Sequence, residues 1–300
     1  MGERGAALAA RGRPVTAPDV RAPEAPRPQF EPRALVLDLD NTTISEGTYL
    51  HPRTEAAVQR AARRLPTIVA TGRQYVSALP WAQRMKVTEP MVCFEGAVVR
   101  TMPDGEGPHG SVLLEQPLGA EPGVESLHIA RQHDWHYHAY DGEQLVAERD
   151  RPELHYYCEI AGVDYRLVPD LEPVLRAGSP KGVVVIRDVE EARRCMELMR
   201  DALGASAHVT RSLREYVEIV DPEVRKSRAC ELVCRRHGVG LADVVAIGDA
   251  PNDIELLDAA GFSVAVDAGR YPEVLEHADV TCVPPTEGGV ADVLEALGLA

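Results

Sequence analysis

The sequence predicts an α/β protein: a doubly wound parallel sheet into which an α+β domain is inserted. Three observations carry that reading. Short apolar runs alternate with helix-periodic segments early in the chain, and the same alternation returns after residue 220. The stretch between them alternates with the period of antiparallel strands. Several of the early and late apolar runs end in carboxylate, threonine or glycine clusters, as strands do when a ligand site lies beyond their carboxyl ends.

ALVLDLD, from Ala34, is a continuous apolar run closed by Asp38 and Asp40 and suits a strand covered on both faces. TEAAVQRAARRL follows as a helix, with Ala57, Val58, Ala61 and Leu65 at helical spacing. TIVATGR is a second strand, SALPWAQRM a helix or turn, and PMVCFEG a third strand. Late in the chain RKSRACELVCRRHGV reads as a helix stopped by Gly238, DVVAIGD as a strand, and NDIELLDAAG as a helix ending in glycine. FSVAV, YPEVLEHA, DVTCV and GGVADVLEALG continue strand, helix, strand, helix.

The middle differs. VVRTMPDGEGPHGSVLLEQPL reads as a hairpin and VESLHIARQHD as a helix. WHYHAYDG and EQLVAER alternate like antiparallel strands, KGVVVIRD is a strand and EEARRCMELMRDALG a helix, and AHVTRSL with REYVEIV is a closing strand pair. The expected organisation is a core of 33–117 and 221–300, an inserted domain of 118–220, and a disordered tail over 1–32, where proline and charge leave little to bury.

Composition narrows the function. Three hundred residues, 45% hydrophobic and 26% charged, fit an ordinary globular chain with enough length for a sizeable core. A net charge of −15 argues against a nucleic-acid-coating surface. No apolar run is long enough to span a membrane, and the N-terminal stretch lacks the apolar segment of a signal peptide. Six cysteines without a CxxC pair are expected to be reduced thiols in a cytoplasmic protein.

Four polar features fall where a site is expected: DLDNTT after the first strand, TGR after the second, GDAPND after a late strand, and Lys226 at a helix start. Asp38, Asp40, Asp249 and Asp253 would then crowd one crevice. Two like charges about 4 Å apart repel by roughly 4 kcal/mol at an effective dielectric of 20. A divalent cation relieves this, and Mg²⁺ suits an oxygen-only site. Lys226, Thr71 and the backbone N–H groups of the Asn41–Thr43 turn supply what a phosphate wants on its other oxygens.

These four features, in this order, resemble the motifs of the haloacid dehalogenase-like (HAD) phosphatases. The insert between the second and third motifs looks like the type C2 cap of their Cof-type, sugar-phosphatase branch. The resemblance spans about residues 33–300. It implies Asp38 as a nucleophile that becomes an aspartyl-phosphate, and Asp40 as acid and then base. It implies Thr71 as a phosphate hydrogen-bond donor and Lys226 as charge balance. Asp249, Asp38 and the Asp40 carbonyl would hold Mg²⁺, with Asp253 and Asn252 supporting that shell or orienting the loop. Asn41, Thr42, Gly72, Arg73 and Glu95 complete the candidate phosphate- and substrate-binding residues.

Two departures from the branch stand out. Glu95-Gly96-Ala97 replaces the usual Asn-Gly-Ala, and a carboxylate facing a phosphate is repulsive, so Glu95 points elsewhere or contacts substrate hydroxyls. VDAGRYPE lacks an asparagine common after the fifth core strand. An aromatic-rich patch in the insert, His133, Trp135, His136, Tyr137, His138 and Tyr140, reads as ordinary sheet packing or as a substrate-facing cap surface, with Tyr156 and Tyr157 as similar candidates. The expected activity is Mg²⁺-dependent hydrolysis of a small phosphorylated metabolite. A sugar phosphate is favoured, and a nucleotide or phosphorylated cofactor comes next. The rivals are a phosphomutase with the same chemistry and a non-catalytic binding protein.

Overall fold

A computed structural model describes residues 17–45, 48–105 and 107–300. The chain divides into two compact units. The first comprises residues up to Val69, Arg84–Thr88 and Glu231–Ala300; the second comprises Ala70–Gln83 and Glu89–Cys230.

The first unit is built on a five-stranded sheet in the order Val280–Cys282, Phe262–Val266, Val244–Gly248, Ala34–Leu37, Thr67–Val69. Every pairing in it is parallel. All four residues of Ala34–Leu37 are buried, as are all five of Val244–Gly248, which is why these strands read as unbroken apolar runs. The chain steps from Ala34–Leu37 to Thr67–Val69 on one side, and later from Val244–Gly248 outward on the other. The order therefore reverses between Ala34–Leu37 and Val244–Gly248, paired Leu37 to Ile247. This is the doubly wound sheet the sequence predicts.

Helix Pro52–Ala61 begins with proline in its first turn and a His51 side chain that accepts from Arg53 N at 3.2 Å. It buries Thr54, Ala57, Val58 and Ala61 and packs on helix Gly289–Ala296.

The expected tail needs correction for its described part. Thr281 N donates to Pro18 O and Val20 N to Thr281 O, both at 2.8 Å, so Asp19 bridges to the edge strand Val280–Cys282 with Val20 fully buried. An edge strand offers unpaired backbone groups, and this short segment satisfies them despite its polar, proline-rich surroundings. Residues 1–16 lie outside the described residues.

The second unit holds a six-stranded mixed sheet in the order Tyr165–Leu167, Gln144–Ala147, His136–Asp141, Gly182–Val185, Tyr216–Val220, His208–Thr210. It also holds a three-stranded antiparallel sheet of Met91–Cys93, Val98–Arg100 and Val112–Glu115. Helices Ala120–Gln132, Glu172–Ala177 and Val189–Leu203 cover one face of the larger sheet. Leu127, Leu175, Met199, Tyr137, Val184 and Val217 share a single apolar cluster there. Alternation along the strands sends Tyr137 and Ala139 into that cluster, and His136, His138 and Tyr140 to the opposite face. Helix Pro152–Ala161 brings Tyr157 to this opposite face, its hydroxyl 2.7 Å from that of Tyr140. The sequence reading did not place Pro152–Ala161, Tyr165–Leu167 or Glu172–Ala177, whose short segments carry no long periodic pattern.

Candidate active site

In the first unit, Asp38 and Asp249 directly follow the two strands at which the sheet order reverses, the position where open α/β sheets bind ligands. Asp38 N donates to Ile247 O at 3.0 Å, which extends the strand pairing to the carboxylate itself. Carboxylate oxygens of Asp38, Asp249 and Asp253 all lie within 4.8 Å of one another, and all three residues are buried.

The two loops are shaped for this. After Asp38 the chain turns so tightly that Thr42, Thr43 and Ile44 N all reach Leu39 O, and Asn41 adopts φ 57°, a left-handed conformation that asparagine tolerates. Thr42 Oγ1 then donates to Asp249 Oδ1 at 2.9 Å, and Thr43 Oγ1 to Asp38 O at 2.6 Å. In the second loop Asp253 Oδ2 accepts from Asp249 N at 3.1 Å and Ala250 N at 3.2 Å. A Cβ on Gly248 would sit 2.5 Å from Asp253 Cγ, so glycine is what lets that carboxylate fold back over the strand end. Asp253 thus braces the loop as well as joining the cluster. Asp40 is half-buried and stands outside the three-carboxylate group, and Asn252 is also half-buried.

The donor set fits Mg²⁺. Three buried carboxylates within 4.8 Å repel one another strongly at low dielectric, and they present only hard oxygen ligands.

The second unit contains Thr71, Gly72, Arg73, Glu95 and Lys226. Thr71 N donates to Val92 O at 2.9 Å, Arg73 N to Thr71 Oγ1 at 3.1 Å, and Phe94 N to Arg73 O at 2.9 Å. Glu95 N donates to Thr71 O at 3.2 Å, so the 71–73 and 94–96 turns are laced together. Phe94, Glu95 and Gly96 have φ of 50°, 62° and 103°. Successive left-handed residues, two of them not glycine, store strain that neighbouring contacts must hold. Gly96 also permits a close approach: a Cβ there would lie 2.6 Å from Arg225 O and 3.2 Å from Lys226 N. Lys226 starts helix Lys226–Arg235 and is buried. The Glu95 side chain lies over Gly72, where any Cβ would overlap Glu95 Oε1.

Arg73, a candidate substrate contact, is buried, and its guanidinium reaches toward helix Pro152–Ala161. Its Nη1 donates to Ser77 Oγ at 2.9 Å and Ala161 O at 3.3 Å, and its Nη2 to Ile160 O at 3.1 Å. The guanidinium therefore caps the carboxyl end of helix Pro152–Ala161, where a cation is favoured. Within the histidine patch His133 is exposed and Trp135 half-buried. His136 and His138 are buried, with His136 Nε2 and His138 Nδ1 3.2 Å apart. Burial pushes His136 down to about 4, with the charge of Arg151 adding to it, and burial also holds His138 well below the usual range. Both imidazoles are neutral at pH 7.

The sequence reading missed Lys181 and Glu218, an ion pair only 1% exposed on each side. Its signal was present: a lysine heading the apolar run GVVV, and a lone carboxylate inside YVEIV. The ordinary expectation of solvated strand residues hid it.

A family model for haloacid dehalogenase-like hydrolases matches residues 35–294. Phosphoglycolate phosphatase of Archaeoglobus fulgidus is 28% identical over 90% of this chain and 99% of its own length. The 5-amino-6-(5-phospho-D-ribitylamino)uracil phosphatase YitU of Bacillus subtilis is 26% identical over 89% and 98%. Among solved structures, a haloacid dehalogenase-like hydrolase from Bacteroides thetaiotaomicron superposes with a TM-score of 0.75 at 21% identity, covering 88% of this chain and 99% of that one. The chain belongs to the haloacid dehalogenase-like hydrolases, in their Cof-type branch. It is accordingly an enzyme of the phosphoric monoester hydrolase class.

Proposed function

We propose that this enzyme hydrolyses a small phosphorylated metabolite in two displacements, with Mg²⁺ held by Asp38, Asp249, Asp253 and the Asp40 carbonyl. The observation that carries the proposal is the buried Asp38–Asp249–Asp253 cluster at the reversal of the sheet order. Bound Mg²⁺ would offset the charge of this cluster and of the phosphoryl oxygens. A carboxylate oxygen of Asp38 attacks phosphorus and the bond to the ester oxygen breaks, giving an aspartyl-phosphate. Asp40, half-buried and outside the cluster, donates its proton to the departing oxygen. It then takes a proton from the water that attacks phosphorus, which restores Asp38 and releases inorganic phosphate. Thr71 and the Gly72 N–H donate to phosphoryl oxygens, and Lys226 offsets their charge. Asn41, Thr42 and Asn252 shape the loops that hold the carboxylates.

Residues 118–220 act as a C2-type cap that selects the leaving group. A sugar phosphate is the leading class, with a nucleotide or phosphorylated cofactor next. The relatives' names cover phosphoglycolate and a phosphoribitylamino-uracil, both small organic phosphates. No helix of the described residues is long and apolar enough to cross a membrane, and the six cysteines form no disulfide among them, in keeping with work in the cytoplasm.

Hydrolysis of p-nitrophenyl phosphate with MgCl₂ tests the reaction. Wild type should release nitrophenol and inorganic phosphate, and Asp38→Asn should lose at least about 1,000-fold in kcat, the scale of removing a nucleophile. Turnover that survives Asp38→Asn removes the nucleophile assignment.

A further inference from the structure

Lys181 and Glu218 have no task in the reaction as proposed. Lys181 immediately precedes strand Gly182–Val185, and Glu218 lies on its antiparallel neighbour Tyr216–Val220, with Val183 opposite Glu218 and Gly182 opposite Ile219. Val217 and Ile219 enter the apolar cluster, so Glu218 between them faces the other way. There Lys181 Nζ donates to Glu218 Oε1 and, at 2.8 Å, to the carbonyl oxygen of Gly72. Glu218 Oε2 accepts from Ser212 N at 2.8 Å. Ser179 Oγ donates to Lys181 O at 2.8 Å and itself accepts from Tyr140 N at 3.0 Å, which fixes the lysine's own backbone. Burial works against the ammonium, but the Glu218 carboxylate, then Tyr157 and Glu95, hold the proton on it more tightly than on an ordinary lysine.

Net stability does not account for such a pair. Desolvating two charges costs about as much as their attraction returns, and apolar residues of equal volume serve a core as well or better. What a buried ammonium does supply is a directed donor. Here it is aimed at one carbonyl in the Thr71–Gly72–Arg73 turn. The other backbone groups of that turn are held by Val92, Phe94, Glu95 and the Thr71 hydroxyl oxygen. Among the described residues, neither the Gly72 N–H nor the Thr71 O–H donates to a protein acceptor. These are the two donors a phosphate would take.

We infer that Lys181, braced by Glu218, is a positioning residue that locks the Thr71–Gly72–Arg73 turn with its Gly72 N–H and Thr71 O–H set for a phosphoryl group. The inference rests on the phosphatase reading above. It ties the insert's sheet to phosphate capture. A Cβ on Gly72 would overlap the Glu95 carboxylate, which would have to move aside. The strained 94–96 turn is the second wall of the same clamp, with the Phe94 ring edge-on to Tyr140 at 4.8 Å.

The test uses the full chain and two variants. Lys181→Met/Glu218→Leu removes the pair without leaving a lone buried charge. Lys181→Arg keeps the pair, and so the fold, but replaces a compact ammonium with a planar head that cannot hold the same point on Gly72 O. Both should melt within a few degrees of wild type. The double variant should lose about 100-fold in kcat, the cost of a small misplacement of reacting groups. Inhibition by inorganic phosphate should weaken about tenfold with the loss of charge-assisted hydrogen bonding. The amide resonance of Gly72 should respond to inorganic phosphate in wild type and not in the double variant. Variants that melt, turn over and bind phosphate like wild type overturn the inference. If wild type turns over no ester, the phosphatase reading fails, and the Gly72 response to inorganic phosphate alone decides whether the clamp stands.

Discussion

Replacing Asp249 by asparagine should stabilise the magnesium-free protein while destroying its response to magnesium. The oxygens of Asp38, Asp249 and Asp253 lie within 4.8 Å of one another. At that separation and an effective dielectric of 20, each ionised pair repels by about 3.5 kcal/mol. Asp249 belongs to two such pairs, and polar donors on the three carboxylates offset part of that sum, leaving about 4 kcal/mol. Asp249→Asn removes this stored repulsion. It also weakens the 2.9 Å hydrogen bond from Thr42 Oγ1, at a cost of about 1 kcal/mol. The net gain is about 3 kcal/mol, or roughly 6–10 °C in melting temperature for a chain of this size. The assay is thermal unfolding followed by circular dichroism, with EDTA or with excess MgCl₂. Wild type should melt lower in EDTA and rise with magnesium. The variant should melt higher in EDTA and rise little. A variant that melts at or below wild type in EDTA, yet gains the same shift from magnesium, refutes the idea that a cation offsets mutual repulsion here.

Two further outcomes follow from side chains whose surroundings are now defined. Arg73→Met should destabilise by about 3 kcal/mol, because it strips a charged donor from the carboxyl end of helix Pro152–Ala161. KM for any ester substrate should stay unchanged, and a raised KM at unaltered stability would return Arg73 to the substrate. His136, held near 4 by burial against an ordinary 6.5, is neutral when folded. The unfolded chain therefore takes up its proton first as the pH falls. The stability contributed is complete above about 6.5 and is lost as the pH drops through 4, a decline of about 3 kcal/mol between pH 7 and pH 4. His136→Phe should flatten that part of the pH profile in urea titrations, and an unchanged slope would show that the titrating group lies elsewhere.

The sequence by itself determined the sheet and the carboxylates. ALVLDLD and DVVAIGD are fully buried strands, so their apolar runs are continuous and their polar ends conspicuous. A residue type that a buried strand end cannot use for packing announces itself without a structure. The order of strands and helices was legible for the same reason, since each long element carries its own period. Only the tertiary structure decided which of several polar residues meet. Arg73, four residues past the second strand, could have faced substrate or solvent, and the helix end to which it donates comes 87 residues later. Lys181 and Gly72 are 109 residues apart, and no local period records a contact of that range. The short segment before residue 33 looked unable to bury anything, until an edge strand from the far end of the chain gave Val20 a place. Periodicity reports what each segment does to its own two faces; partners brought together by the closing of the fold leave no such trace.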